Sequence, residues 1–440
     1  MSMTNRWDAT ALAGLGEEMY RWAERLYPLC RSITGAGVED TLAVLREQVP
    51  LHIERVPSGT KVFDWKVPRE WNIRDAYVKD PTGRRVIDFH ANNLHVVSYS
   101  RPVHKQVSLA ELKAHTFTIP EQPDWIPYRT SYYAENWGFC AAHNVVNALP
   151  DGMYEVCVDA SLQDGHLAYG EYLHHGYSEE EVLFSTHTCH PSLCNDNLSG
   201  IALNAMLASL ISQVQTRYSY RFLFIPGTIG SITWLSRNQQ RAQSIKHGLV
   251  VTCVGDGGPF RYKRSRRGDA EIDRAVEYVL RHTGGAYQIS DFSPYGYDER
   301  QYCSPGFNLA VGSLTRSSHR QYPQYHTSAD DLGFVGPNWL EESLSVYLKV
   351  ISVLETNQFY VNKFPFCEPQ LGRRGLYDDV GAHPDPNAFR MALLWVLNQS
   401  DGEHALLDIA EKSQIPIDTV AEAASALHHS GLLEMAAARP

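Results

Sequence analysis

Between residues 10 and 50 apolar positions recur three and four apart, at Leu12, Leu15, Met19, Trp22 and Leu26 and again at Leu42 and Leu45 beside Thr41 and Val44. That spacing predicts amphipathic helices covering one face of a larger core. From Ile53 to about Ile119 the period shifts toward two, through Val56, Val62, Phe63, Trp65, Ala76 and Val78, the turn Asp80-Pro-Thr-Gly83, and Val86, Ile87 and Phe89. A small β domain inserted between helices is the expectation. Beyond residue 120, short apolar runs at 154–158, 182–185, 220–225, 248–254 and 309–311 alternate with helical patterns at 198–210, 230–238, 272–283 and 339–354. Alternation of this kind predicts an α/β domain, a mainly parallel mixed sheet flanked by helices. The tail carries three amphipathic patterns at 389–398, 405–413 and 417–430, the outline of a helix-turn-helix unit. The expected division is therefore 1–52 with 120–365, an insert at 53–119, and a terminal domain at 385–440.

Composition narrows the class. With 440 residues, 43% hydrophobic and 20% charged, the chain has room for two or three globular domains. No run approaches the roughly 18 apolar residues of a membrane span, and the N-terminus, Met1-Ser-Met-Thr-Asn-Arg-Trp-Asp, lacks the apolar core of a secretory signal. Eight cysteines, at 30, 140, 157, 189, 194, 253, 303 and 367, form no Cys-x-x-Cys pair, so reduced thiols and a cytoplasmic location are expected. A net charge of −11 disfavours a nucleic-acid partner. The third helical pattern of the tail carries Asp418 and Glu422 and no Lys or Arg, which favours a packing or dimerisation role and leaves a homo-oligomer open.

The chemistry concentrates in Glu181-Val-Leu-Phe-Ser-Thr-His187-Thr-Cys-His190-Pro-Ser-Leu-Cys-Asn-Asp196-Asn-Leu-Ser-Gly200. A β-prone run ends in two imidazoles, and a carboxylate precedes a helix start, at the strand end where open α/β sheets bind ligands. Nitrogen and oxygen donors this close together suit a borderline cation such as zinc; a polar loop capped by Asp196 or Ser199 is the plainer alternative. Far downstream, Tyr325-His326-Thr-Ser-Ala-Asp330-Asp-Leu places a lone imidazole in a polar turn.

These two segments resemble the zinc exopeptidase fold of the di-zinc aminopeptidases and the single-zinc glutaminyl cyclases. From about residue 15 onward the chain is similar to a bacterial aminopeptidase-like family with an inserted β domain and a terminal winged helix. The matching stretches include Arg31-Ser-Ile-Thr-Gly35, Asp64-Trp-Lys-Val-Pro-Arg-Glu-Trp-Asn-Ile-Arg74, Trp137-Gly-Phe-Cys140 and Phe224-Ile-Pro-Gly-Thr-Ile-Gly-Ser231. The resemblance implies zinc ligands His187, Asp196 and His326, with His190 the rival to His187. It also marks departures. Gly227-Thr228 stands where the related aminopeptidases carry a Glu-Glu pair, the usual base and a second-zinc ligand, so one zinc is expected and a second is in doubt. Cys189 replaces the Asp that orients the first His, and strict spacing puts Cys253 where another metal-binding carboxylate belongs, with Asp256 close behind it or else simply part of an Asp-Gly turn.

Glu299 and Asp298, in Tyr295-Gly-Tyr-Asp-Glu-Arg-Gln301, are the candidates to replace the missing base or to anchor a substrate amine. Arg129 and Arg316 could clamp a carboxylate or phosphate, and Tyr325 could contact substrate. Trp65, Trp71 and Trp137 are expected in the core. The functional expectation is a zinc-dependent hydrolase of amide or peptide bonds acting on a small or modified amino-acid-like substrate. A single-zinc cyclase or acyltransferase, and a non-catalytic zinc-binding scaffold in a polysaccharide or natural-product pathway, are the alternatives.

Overall fold

The computed structural model describes residues 9–376 and 383–436; residues 1–8, which bear on a secretory signal, lie outside it. The described residues form two compact units, Ala13–Leu344 and a second that takes the described residues before Ala13 together with those from Ser345 onward.

The larger unit is built on an eight-stranded mixed sheet. Its strands run in the order His52–Pro57, His166–His174, Ser219–Ile225, Glu181–His187, Ile245–Val251, Val311–Thr315, Phe260–Lys263 and Tyr287–Ser290. The central strands 219–225, 181–187, 245–251 and 311–315 are mutually parallel. Strand Glu181–His187 is buried at every position, as a strand covered on both faces must be. Helix Gly200–Ile211 is apolar nearly all round and correspondingly buried, whereas Leu15–Leu26 turns only Gly16, Met19, Ala23 and Leu26 inward. Helices Ile229–Arg237, Glu271–His282 and Pro337–Thr356 fall within two residues of the expected bounds.

The small sheet differs from the expected span of 53–119. Strand His52–Pro57 pairs antiparallel with His166–His174 in the main sheet. The run expected at 154–158 in the main sheet instead forms Met153–Gln163 and pairs with Glu70–Lys79 and Val103–Ser108, with Arg85–Asp88 at the edge. The reason lies in the alternation: Tyr154, Val156, Val158 and Ala160 are buried while Glu155, Cys157 and Asp159 are not, the signature of a one-faced antiparallel strand. Asp80 closes the expected turn by accepting the Thr82 and Arg84 N–H groups, with Gly83 in the left-handed region. The run at 309–311 yields a later strand, Val311–Thr315, because Asn308 adopts φ 46° and turns the chain just before it. Trp71 and Trp137 are buried, but Trp65 is 47% exposed and pairs with the exposed Tyr133.

The smaller unit has helices Pro386–Gln399, Leu406–Ser413 and Ile417–His429 packed beside a three-stranded sheet of Asp401–Ala405, Phe359–Asn362 and Leu433–Met435. Asp385 caps the first helix through the Ala388 N–H. Val420, Ala423, Ala424 and Leu427 form the buried face of the third helix. This is a winged helix-turn-helix. All eight cysteines are unpaired, and no described helix is long and apolar enough to cross a membrane.

Candidate metal centre

Strand Glu181–His187 delivers a fully buried His187 to the carboxyl edge of the sheet. The chain then loops through Cys189 and His190 and returns by an irregular turn, Cys194–Ser199, in which Asp196 and Asn197 leave helical geometry before helix Gly200–Ile211 begins. Gly200 is required there: a Cβ would lie 2.6 Å from the Val251 carbonyl and 2.3 Å from the Asn197 side chain. The turn sets the Asp196 carboxylate between two imidazoles, with His187 Nε2 2.8 Å from one oxygen and His326 Nε2 3.0 Å from the other. His190 Nε2 lies 3.8 Å from the second oxygen. His187, His190 and Asp196 can present donor atoms within 4.8 Å of one another, and Asp196, Cys253 and His319 form a second such group.

Electrostatics suit a cation. Burial pushes the His190 pKa well below its ordinary value, so its imidazole is neutral and has a lone pair to give. Burial alone would raise the Asp196 carboxyl, but His190, His187 and His326 together hold it well below the usual range. A buried carboxylate facing three imidazoles is the donor set of a metal site.

A second layer fixes this one. Asp330 accepts the backbone N–H groups of Asn195 at 2.6 Å and Asp196 at 3.0 Å, and burial raises its pKa to about 8. The Asn195 side chain donates to Asp256 at 2.6 Å and accepts the Gly255 N–H. His326 sits at φ 57°, uncommon for a non-glycine residue; the Tyr128 N–H holds its carbonyl at 2.7 Å and the Tyr325 ring stacks on it at 3.9 Å.

Tyr297 packs against Gly227, in the Gly227-Thr228 pair that stands where the resemblance to the aminopeptidases implies a Glu-Glu pair. A Cβ on Gly227 would lie 2.2 Å from its ring, which packs 4.1 Å from the His187 ring while the hydroxyl meets Cys189 Sγ at 3.3 Å.

The other expected residues divide. Asp256 joins neither donor group: it accepts from Asn195, the Gly258 N–H and Ser317, the Asp-Gly turn alternative. Glu299 is buried in an ion pair with Lys263 and accepts the Tyr297 N–H. Asp298 is buried, accepts from Ser231 Oγ at 2.8 Å and has its other oxygen without a hydrogen-bond partner, and burial lifts its pKa to about 7. Arg316 donates to Ser343 and the Gly258 carbonyl and pairs with Glu342, which is a structural engagement. Arg129 is exposed. Tyr325 does stand at the centre, against His326.

Four residues hold places at the centre that were not expected of them. His319 lies in an irregular polar segment with no strand or helix frame around it, and nothing in the sequence marks it. Tyr297 and Asp330 lie inside motifs already singled out, where an aromatic beside Gly and an Asp four residues after the histidine were usable signals. Cys253 stands where a carboxylate was expected, and its residue type hid it.

Comparison with known proteins agrees with this architecture. Residues 20–357 match a family described as a domain of unknown function, DUF4910, and residues 358–435 match a winged helix-turn-helix family. A Clostridium acetobutylicum protein provisionally named for polysaccharide biosynthesis, with an aminopeptidase-like domain, is 54% identical over 420 residues, 96% of each chain. A crystal structure of a provisionally named peptidase from Clostridium acetobutylicum superposes with a TM-score of 0.92 at 52% identity, over 99% of this chain and 100% of that one. A zinc aminopeptidase from Bacillus subtilis shares the fold, with a TM-score of 0.56 at 10% identity over 77% of this chain and 94% of its own. The chain belongs to the DUF4910 family, as an aminopeptidase-like domain protein with a C-terminal winged helix-turn-helix.

Proposed function

We propose that this protein is a zinc-dependent hydrolase of amide bonds in a small, amino-acid-like or acylamino substrate. The observation that carries the reading is the Asp196 carboxylate held between His187 and His326, with a neutral His190 beside it, at the carboxyl end of a buried parallel strand. Nitrogen and oxygen donors of this kind fit zinc, and His187, Asp196 and His326 would hold it, His190 being the rival donor. When bound, zinc polarises a carbonyl and lowers the pKa of a water.

The chain's own residues supply the rest. Asp298 fits a proton carrier better than Glu299, because Lys263 neutralises Glu299 while Asp298 keeps an unpartnered oxygen and a pKa of about 7. Burial keeps the Tyr297 phenol protonated, so beside His187 it acts as a hydrogen-bond donor. The relative's name suggests a saccharide-linked amide, and the exposed pair Trp65 and Tyr133 offers flat aromatic surface of the sort that sugar rings stack on.

The test is elemental analysis of protein purified without chelator, followed by a screen of aminoacyl anilides, N-acyl amino acids and N-acylated amino sugars. About one or more zinc per chain, with turnover abolished in Asp196→Asn and reduced roughly 10²-fold or more in Asp298→Asn, is the expected result. Absence of any bound transition metal would end the proposal. The tight fill of the Gly227 position by Tyr297 favours one second reading, a zinc-binding scaffold without hydrolysis, which metal content with no turnover across the panel would support.

A further inference from the structure

We propose that Asp196, Cys253 and His319 form a second metal position, a thiolate-containing one, that shares the Asp196 carboxylate with the His187 site. The inference rests on the reading of Asp196 as a metal ligand and adds to it a donor set that neither the family description nor the relatives' names assign.

Geometry comes first. One donor atom from each of the three residues lies within 4.8 Å of the others. A four-coordinate zinc with bonds of about 2.0–2.3 Å separates its donors by roughly 3.3–3.8 Å. Closing the group therefore takes about an ångström of side-chain movement, and both side chains have reason to move. The Cys253 thiol has only long contacts, to Thr252 Oγ1 at 3.5 Å and the Tyr322 hydroxyl at 3.8 Å. His319 Nδ1 is buried with no hydrogen-bond partner at all, a condition that costs free energy unless something else occupies the nitrogen.

The backbone is arranged to match. Cys253 follows the buried strand Ile245–Val251 and adopts φ 50°, a left-handed conformation that non-glycine residues seldom hold and that gathers at functional positions. Its carbonyl is fixed by the Arg316 N–H at 2.8 Å. The structural role of Arg316 is thus continuous with the placement of the thiol. His319 has the Tyr297 and Tyr325 rings near it at 5.8 Å on either count, the same rings that pack on His187 and His326.

Chemistry then selects the ion. A carboxylate has about four lone-pair sites and can serve two cations, and cations sharing a bridging ligand sit roughly 3.5–4 Å apart. Asp196 alone offers one negative charge to two divalent ions; ligation of Cys253 releases its proton to solvent and adds a second. One sulfur, one nitrogen and one oxygen favour zinc or cobalt over magnesium or calcium. The nearby thiol of Cys189 is the rival, at 3.4 Å from His190 Nδ1, but it belongs to neither donor group among the described residues.

The experiment is a cobalt(II) titration of the full-length, chelator-treated protein followed by absorption spectroscopy. The expected result is about two equivalents bound, with visible ligand-field bands and a near-ultraviolet sulfur-to-cobalt charge-transfer band. Cys253→Ser should remove the charge-transfer band and about one equivalent while leaving ligand-field bands; Cys189→Ser should keep the charge-transfer band. If Cys253→Ser does not fold, His319→Gln carries the test through a tenfold or greater weakening of one equivalent. Ligand-field bands without charge transfer in the wild-type protein, or a charge-transfer band that survives Cys253→Ser, overturn this inference and leave the His187 site intact. No cobalt binding whatever would bring down both.

Discussion

Asp196→Asn separates the metal from the fold. The exchange keeps shape and volume but removes the charge that both imidazoles face, at 2.8 and 3.0 Å, from a side chain that is 1% exposed. The amide retains one acceptor oxygen, so one of the two charge-assisted bonds is lost, roughly 2 kcal/mol on the usual scale of 1.5–3. The surrounding unit, Ala13–Leu344, has about 330 residues and hence an unfolding entropy near 0.7 kcal/mol/K at ~2.1 cal/mol/K per residue. The metal-free variant should melt about 3 °C below the metal-free wild type by that conversion. Zinc at a hundredfold excess over its Kd should then add about 2.7 kcal/mol, or roughly 4 °C, to the wild type and nothing to the variant. Differential scanning calorimetry of the full chain, chelator-treated and then zinc-loaded, reads all four values. A zinc-induced rise in Asp196→Asn equal to that of the wild type would refute the assignment of this carboxylate to the metal.

Other outcomes follow from features around the site. Arg221 is buried between Glu181, which it grips with two bonds of 2.6 Å, and Glu171; Arg221→Met leaves Glu181 without this ion pair and Glu171 with Arg241 at 3.9 Å, and should cost about 3–5 kcal/mol, a thermal shift of about 4–7 °C, and a shift below ~1 °C would show the network to be dispensable. Burial and the charges of Arg217, Lys246 and Arg267 push the His247 pKa down to about 3. The folded state therefore prefers the neutral ring, and stability present above pH ~6.5 is lost as pH falls toward 3, about 2 kcal/mol by pH 5. His247→Gln should remove that portion of the acid sensitivity in thermal melts from pH 7 to 5, and an unchanged slope would contradict it. Gly227→Ala drives a methyl into the Tyr297 ring and should cost about 1–3 kcal/mol, most of it relieved in a Tyr297→Ala background if the clash is the cause. The third helix of the tail, with Asp418 and Glu422 and no basic residue, should show no appreciable duplex DNA affinity at physiological salt; submicromolar, salt-sensitive binding in a fluorescence titration would disprove that.

The sequence reveals most where burial is uniform. The all-buried strand at 181–187 and the apolar helix at 200–211 read cleanly because covered elements leave unbroken hydrophobic runs. It misleads where a strand belongs to a different sheet from its neighbours. The segment 153–163 shows its alternation plainly, but periodicity reports how many faces of a strand are buried and not which partners it takes. The site behaves likewise. His187 is legible because it ends a buried strand and Asp196 because it shortly precedes the apolar helix at 200–211, whereas His326, in a polar turn, is legible through the resemblance of its Tyr-His-Thr motif. His319 is not, since an irregular segment has no periodic frame, and only the fold brings it near Cys253 and Asp196. Glu299 looked like a free carboxylate because Lys263, which neutralises it, lies thirty-six positions away.

The departures from the aminopeptidase pattern are not independent losses. Removing the side chain at Gly227 is what admits the Tyr297 ring, since any Cβ there would lie 2.2 Å from it. The ring in turn covers His187 and brings its hydroxyl to Cys189, the residue that replaces the orienting carboxylate. A phenol and a thiol are both neutral when buried, and burial does push each of them upward. Two carboxylates at those places would instead have added negative charge next to His187. The exchange thus leaves Asp196 as the ionised group that faces the histidines and turns the wall of the site from anionic to neutral. Restoring Glu at Gly227 alone would meet the ring before it met a metal. Any attempt to recover a base at that position has to remove Tyr297 in the same step, and this coupling is the physical reason to look for the proton carrier elsewhere, at Asp298.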